Sequence, residues 1–322
     1  MNSKITLPNF DGEILLCSTS AKKMYDDEIT VADALAEGAP YRPLVFPYEL
    51  PEDGVLVISE DWNFTKTYDF VLHASEKSIE IDNLKTGWLY YYKVTVGHEN
   101  YFGEFRTARS TRFIKMPDVK NTRDIGGYLN LDGKRVKQGM VIRGTAIDGR
   151  IELDYFLKDE YIEPTRKMIG FRHDMDLRSH GKPEGSRFGP EVTQKTYNAP
   201  MYTDVFNPNY LVSLKNIFTA MAQPENYPMY VHCTYGTDRT GLVVMLLQAI
   251  LGMSAYDMMR EYHMTGFFSQ KVATQPDMDT TFVGFAAMYR GTVQENMVKY
   301  LVEKAGVSTE DIEAIRRIML ED

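Results

Sequence analysis

Cysteine is scarce in this chain. Two occur among 322 residues, Cys17 and Cys233, which excludes a fold held by a disulfide framework. Cations are in deficit, 36 Lys and Arg against 45 Asp and Glu for a net charge of −9. That balance argues against nonspecific binding to nucleic acid or to anionic membranes, and against long-range attraction of polyanionic substrates. Long apolar runs are missing. Residues 1–8 carry none, and neither a secretory leader nor a membrane span is visible. A cytoplasmic location is the default expectation, although a secreted chain trimmed of its leader would read the same way. His173, His180 and His263 lack metal-ligand spacing, so no metal and no cofactor is expected. Internal repeats, low-complexity tracts and long linkers are also absent.

What is present suffices for packed cores: 43% of the residues are hydrophobic, and the length favours two domains. The expected boundaries are 1–110 and 111–322. In the first half, 54–59, 78–82 and 88–96 read as short strands broken by polar turns, which predicts a small all-β sandwich. The Ala-rich stretch 31–36 reads as a short helix or an inserted loop. From about Arg112 the pattern mixes strands with helices, which implies an α/β domain with a central sheet flanked by helices. Helical spacing appears at 212–222, 294–305 and 309–320, and Ser308 to Asp311 supplies a capping box for the last of these. Residues 181–187 read as a solvated basic loop.

The chemistry concentrates in His232-Cys-Thr-Tyr-Gly-Thr-Asp-Arg-Thr-Gly241. Residues 227–232 before it read as a buried strand and 242–251 after it as an apolar helix. The loop therefore lies at a helix N-terminus, where unpaired backbone N–H groups favour an anion. Amides, a helix end and a nearby arginine all favour a thiolate at Cys233, and a bridge to Cys17 would destroy that nucleophile, so both are read as thiols. Arg239 has a planar fork that can grip two phosphate oxygens. Gly236 and Gly241 let the backbone come close. Thr234, Tyr235, Gly236, Thr237, Asp238, Arg239 and Gly241 are the expected phosphate-binding set. Thr240 is expected to place a hydroxyl near the sulfur, and His232 to orient the loop. An inert buried cysteine is the bland alternative, and the strand, the glycines and the Arg-Thr-Gly ending together weigh against it.

This stretch resembles the signature loop of the protein tyrosine phosphatase superfamily. With Asn121-Thr-Arg-Asp-Ile-Gly-Gly, Gly139-Met-Val-Ile-Arg-Gly144 and Asp176-Leu-Arg-Ser179, residues 115–322 look like its bacterial branch. The resemblance implies Cys233 as nucleophile, Arg239 as phosphate clamp and Asp238 as the loop aspartate. Two positions depart from the pattern: Thr237 stands where that branch has lysine, and Tyr235 where a small residue is common. In the first half, Leu84, Trp88, Tyr90 and Val94 are spaced like the tyrosine-corner segment of a fibronectin type III domain, and 103–108 resembles that fold's closing strand.

A phosphotyrosine leaving oxygen needs a proton as its bond breaks. Asp238 is the first candidate acid, Asp204 the second and Asp176 the third. Asp124 reads as the cap of a tight turn at Gly126-Gly127, the alternative being that with Arg123 it braces the phosphate loop. The resulting expectation is a phosphomonoesterase acting on phosphotyrosine, with dual specificity open. Its substrate would be a phosphorylated protein or a small phosphoester. The alternatives are an inositol-phosphate or phosphoinositide phosphatase and, from another class, a phosphate-binding module without turnover. Oligomeric state and the role of the first domain stay open.

Overall fold

The structure, a computed structural model, describes residues 5–34, 40–150, 153–179, 185–268 and 276–321. His180, most of the basic loop 181–187 and the end of the Ala-rich stretch lie outside the described residues. The chain divides into two compact units: Met1–Thr30 with Pro40–Lys115, and Val31–Ala39 with Met116–Asp322.

The first unit holds β1 (Glu13–Ile14), α1 (Thr19–Tyr25), β2 (Leu44–Pro47), β3 (Gly54–Ser59), β4 (Thr67–Leu72), β5 (Ser78–Ile81), β6 (Leu89–Val96) and β7 (Glu99–Thr107). Five strands form one sheet in the order β1-β7-β6-β3-β4, and β2 pairs with β5 in another. All pairings are antiparallel except β1 with β7. Along β6 buried positions alternate strictly with less buried ones, the period-two pattern its sequence shows. Leu56, Ile58, Tyr90, Tyr92 and Val94 join Leu44 and Phe46 of β2 and Ile81 of β5 in one apolar core. Strand β4 was not foreseen, because Asp69 interrupts its apolar run on an edge where water tolerates it. Of the Ala-rich stretch, Val31–Ala34 forms helix α2 and is grouped with the second unit.

The second unit continues with β8 (Arg123–Asp124), β9 (Val141–Gly144), β10 (Asp148–Arg150), β11 (Leu153–Phe156), α3 (Asp159–Ile169), β12 (His173–Asp176), β13 (Thr193–Thr196), α4 (Leu211–Met221) and β14 (Met229–His232). Helices α5 (Asp238–Ile250), α6 (Ala255–His263), α7 (Pro276–Met288), α8 (Val293–Glu303) and α9 (Thr309–Met319) follow. The main sheet runs β13-β12-β14-β9-β8, with β13, β12, β14 and β9 parallel and β8 antiparallel. Mixed sheet and helices give the α/β class expected of this half. Strands β9, β12 and β14 are buried at every position, as parallel strands covered on both faces must be. Helix α5 is buried from Thr240 to Ile250, which explains its apolar residues all round. The two-way capping box stands at Thr292 and Glu295, opening α8. At α9, Ser308 accepts from the Asp311 amide at 3.0 Å. Among the described residues no helix is long and apolar enough to cross a membrane.

Candidate active site

Strand β14 ends at His232, in register with Gly144 of β9 on one side and Asp176 of β12 on the other. Cys233 follows at the carboxyl end of the parallel strands, where open α/β sheets place their ligand crevice. The loop 233–237 then turns into α5. Cys233 is buried, Thr234 half-buried, and the Tyr235 side chain is 50% exposed.

Two carbonyls of the loop are held from behind. The Tyr235 carbonyl accepts from Asn121 Nδ2 at 3.2 Å and from Thr237 Oγ1 at 3.3 Å. The Gly236 carbonyl accepts from Asn121 Nδ2 at 3.0 Å and from Arg143 Nη2. In a trans peptide the N–H points opposite its C=O, so the amides of Gly236 and Thr237 face the other way. Gly236 has φ +65°, and a Cβ there would lie 2.3 Å from the Gly144 carbonyl oxygen; no other residue fits. Thr237 is the N-cap of α5, yet its hydroxyl bonds inside the loop and does not cap the helix. The first-turn amides are thus not taken by the N-cap side chain, and a helix N-terminus of that kind favours an anion.

Behind the loop lies a buried ion cluster. Glu261 of α6 binds Arg123 Nε and Arg143 Nη1, each at 2.7 Å. Burial alone would push the Glu261 carboxyl up, but the two guanidiniums hold it below the usual carboxylate range. Burial first, and Arg143 next, pull Arg123 down to about 10. Arg123 also bonds the Asn121 side-chain oxygen. One carboxylate therefore fixes both the arginine and the asparagine that grip the loop carbonyls.

His232 is wholly buried, with Nδ1 at 3.1 Å from the Cys233 carbonyl oxygen. Its Nε2 lies 2.9 Å from Asp174 Oδ1, an ion-pair distance without the angle of a good hydrogen bond. Burial pulls its pKa down, but the carboxylates of Asp174 and Asp176 outweigh that and raise it to about 9. Asp176 is fully buried and bound by Arg178 through Nε and Nη2, and Arg178 extends to Asp148 at 2.7 Å. Burial opposes ionisation of Asp176, and Arg178 and His232 reverse that, leaving it below the usual range. Asp176 is thereby tied into structure rather than presented to the loop. Asp124 accepts from the Gly126 amide at 2.9 Å and the Gly139 amide at 2.5 Å, which is the geometry of a turn cap.

Asp238, Arg239 and Thr240 form the first turn of α5. Arg239 Nε donates to the Ala199 carbonyl at 3.2 Å. Thr240 Oγ1 is buried with no hydrogen-bond partner among the described residues. Asp238 Oδ1 accepts from the Tyr202 hydroxyl. Asp204 stands exposed on the 3-10 turn Tyr202–Phe206, and the member of that turn which reaches Asp238 is Tyr202. Gly241 makes room for Tyr262, since a Cβ there would sit 2.7 Å from its ring. Among the described residues no cluster of His, Cys, Asp or Glu could hold a metal ion.

The structure thus gathers His232 to Gly241 at one strand–helix junction, with Asp124 and Asp176 bound into its surroundings. Sequence reasoning assigned no role to Asn121, Arg143, Tyr202, Glu261 or Tyr262. Asn121 and Arg143 lay inside segments already singled out. Glu261 had no comparable signal, being one acid of 45 in an amphipathic helix.

Residues 114–321 match the model of the tyrosine phosphatase family. A protein of Cupriavidus necator, provisionally named a tyrosine-protein phosphatase, is 27% identical over 172 residues, 45% of this chain. The chain spans 59% of that relative's length. Among solved structures, the core catalytic domain of a PP-IP phosphatase from S. cerevisiae, in complex with citrate, aligns with a TM-score of 0.32 and 14% identity. That alignment covers 46% of this chain and 90% of the other.

Proposed function

The chain belongs to the tyrosine phosphatase family, and from that premise we propose that it is a phosphomonoester hydrolase working through a cysteinyl-phosphate. The observation that carries the reading is the loop after β14, whose Tyr235 and Gly236 carbonyls are held from behind while the N-cap side chain does not cap α5. A dianion seated there meets outward amides, the helix N-terminus and Arg239.

Cys233 Sγ attacks phosphorus as the bond to the leaving oxygen breaks. Arg239 and the loop amides hold the equatorial oxygens. Asp238 gives its proton to the leaving oxygen, then takes one from the water that attacks the phosphocysteine. The sulfur–phosphorus bond breaks, phosphate departs and the thiolate returns. Thr240, buried with a hydroxyl that has no partner among the described residues, is the group assigned to stabilise that sulfur as it leaves. Asp204 is the reserve acid.

Phosphotyrosine is the substrate class we favour. Tyr235 offers an exposed ring beside the loop for an aromatic leaving group to stack on. Thr237, buried where the bacterial branch that the loop resembles typically has lysine, supplies no cation for a multiply phosphorylated inositol ring. For residues 1–110 we propose a fibronectin type III-like sandwich. Tyr90 supports it, since its hydroxyl accepts from the Lys85 amide at 2.7 Å, a backbone bond a few residues upstream as in a tyrosine corner.

The test is phosphate release from p-nitrophenyl phosphate and a phosphotyrosine peptide in EDTA, with Cys233→Ser as comparison. Turnover in EDTA that the substitution abolishes is expected. Preference for an inositol polyphosphate would move the substrate, and no turnover on any phosphoester would leave the binding-module reading standing.

A further inference from the structure

The segment after β13 crosses the start of α5 and touches both of its charged residues. Ala199 takes the Arg239 Nε hydrogen on its carbonyl at 3.2 Å, and three residues later Tyr202 donates its hydroxyl hydrogen to Asp238 Oδ1. Tyr202 makes that reach from φ +47°, a left-handed backbone that a bulky residue rarely adopts and that persists only where its surroundings enforce it.

A second phenol completes the arrangement. Tyr262 of α6 is hydrogen-bonded to Tyr202. A phenol has one hydrogen to donate. Tyr202 places its hydrogen on Asp238, with Tyr262 in hydrogen-bond contact beside it. Tyr262 comes this close because residue 241 is glycine. Both phenols stay protonated at working pH: burial first, then the bond to Asp238, raises Tyr202, and burial pushes Tyr262 up to about 12. The charged groups acting on the pair are Asp238 of α5, Arg143 of β9 and Asp279 of α7.

A carboxylate on the first turn of a helix can rotate freely, and proton transfer needs its oxygen within hydrogen-bond reach of the leaving group. We propose that Tyr202, braced by Tyr262, is a positioning residue that fixes one Asp238 oxygen and leaves the other to exchange its proton with the leaving oxygen. The inference rests on Asp238 as the proton carrier in the reading above. Tyr202 does not itself touch the reacting atoms.

Tyr202→Phe tests it, since phenylalanine bears the same backbone strain and packing and loses only the hydroxyl. A displaced acid matters where the leaving group needs a proton and much less where it does not. On a phosphotyrosine peptide kcat should fall about 10- to 100-fold, part of the ~10²–10⁴ a positioned acid supplies, with KM within about twofold. On p-nitrophenyl phosphate, whose leaving group is weakly basic, the fall should be under about threefold. The limb of the kcat profile that reports loss of the acid's proton should move to higher pH, because a donor to the carboxylate is gone. Tyr262→Phe should shift the same readouts in the same direction by less. Equal losses on both substrates, a loss confined to KM, or an unmoved limb would overturn the positioning role while leaving the phosphatase reading intact. Turnover that survives Cys233→Ser would remove that reading and this inference together.

Discussion

Glu261 answers for two buried guanidiniums. It lies 2.7 Å from each of Arg123 and Arg143, and all three side chains are nearly or wholly out of water. Removing one partner of a buried charge cluster leaves the others unpaired, which typically costs ~3–5 kcal/mol. Glu261→Gln keeps the shape and removes the charge, so stability by urea unfolding should fall by about that amount with an unchanged slope. A loss below ~1 kcal/mol would mean that water or another acid already compensates the arginines. The same residue shows why part of the site was illegible. A carboxylate that organises a loop from another helix has no spacing signal, whereas Cys233, Arg239 and the two glycines share one short segment.

Strand β12 shows the limit at the scale of an element. His173-Asp-Met-Asp176 is buried throughout yet three of its four residues are polar, so no apolar run announces a central strand and the sequence shows only a strand end, over 175–178. Its burial is possible because each polar side chain has a partner close by: His173 Nε2 the Tyr197 hydroxyl, Asp174 the Ser186 hydroxyl and the His232 imidazole, Asp176 the Arg178 guanidinium. The cross-strand pair of Asp174 with His232 carries a pH signature. His232 has its pKa raised from 6.5 to about 9 in the fold, where the carboxylates overcome burial. A histidine bound more tightly in its protonated form stabilises the fold fully below pH 6.5, and the contribution is lost as pH rises through 9. The melting temperature of the wild type should therefore exceed that of His232→Gln most near pH 6, with the gap closing by pH 9.5. A gap that is constant over that range would mean that His232 is neutral in the fold. By contrast, β6 and α5 were readable at once, because a half-buried strand must alternate and a wholly buried helix must be apolar all round. Helices α3 and α6 went unread because their charged faces dilute the apolar stripe.

The whole chain joins a family domain, matched over residues 114–321, to a unit of sheets with a core of its own. The sheet of the second unit needs its parallel strands to end together, the arginines and Glu261 to close the back of the loop, and α5 to start at the front with no cap from its Thr237 side chain. Those features converge on Cys233, and they matter to function only if the sulfur carries phosphate during turnover. The direct measurement is the mass of the intact protein after a phosphotyrosine peptide is mixed with it and the reaction quenched in denaturant within milliseconds. Expected is a transient species heavier by one phosphoryl group, mapping to the peptide that contains Cys233 and missing from Cys233→Ser. Turnover of the same substrate with no such species at any quench time, or with the phosphoryl group on another residue, would contradict the cysteinyl-phosphate mechanism.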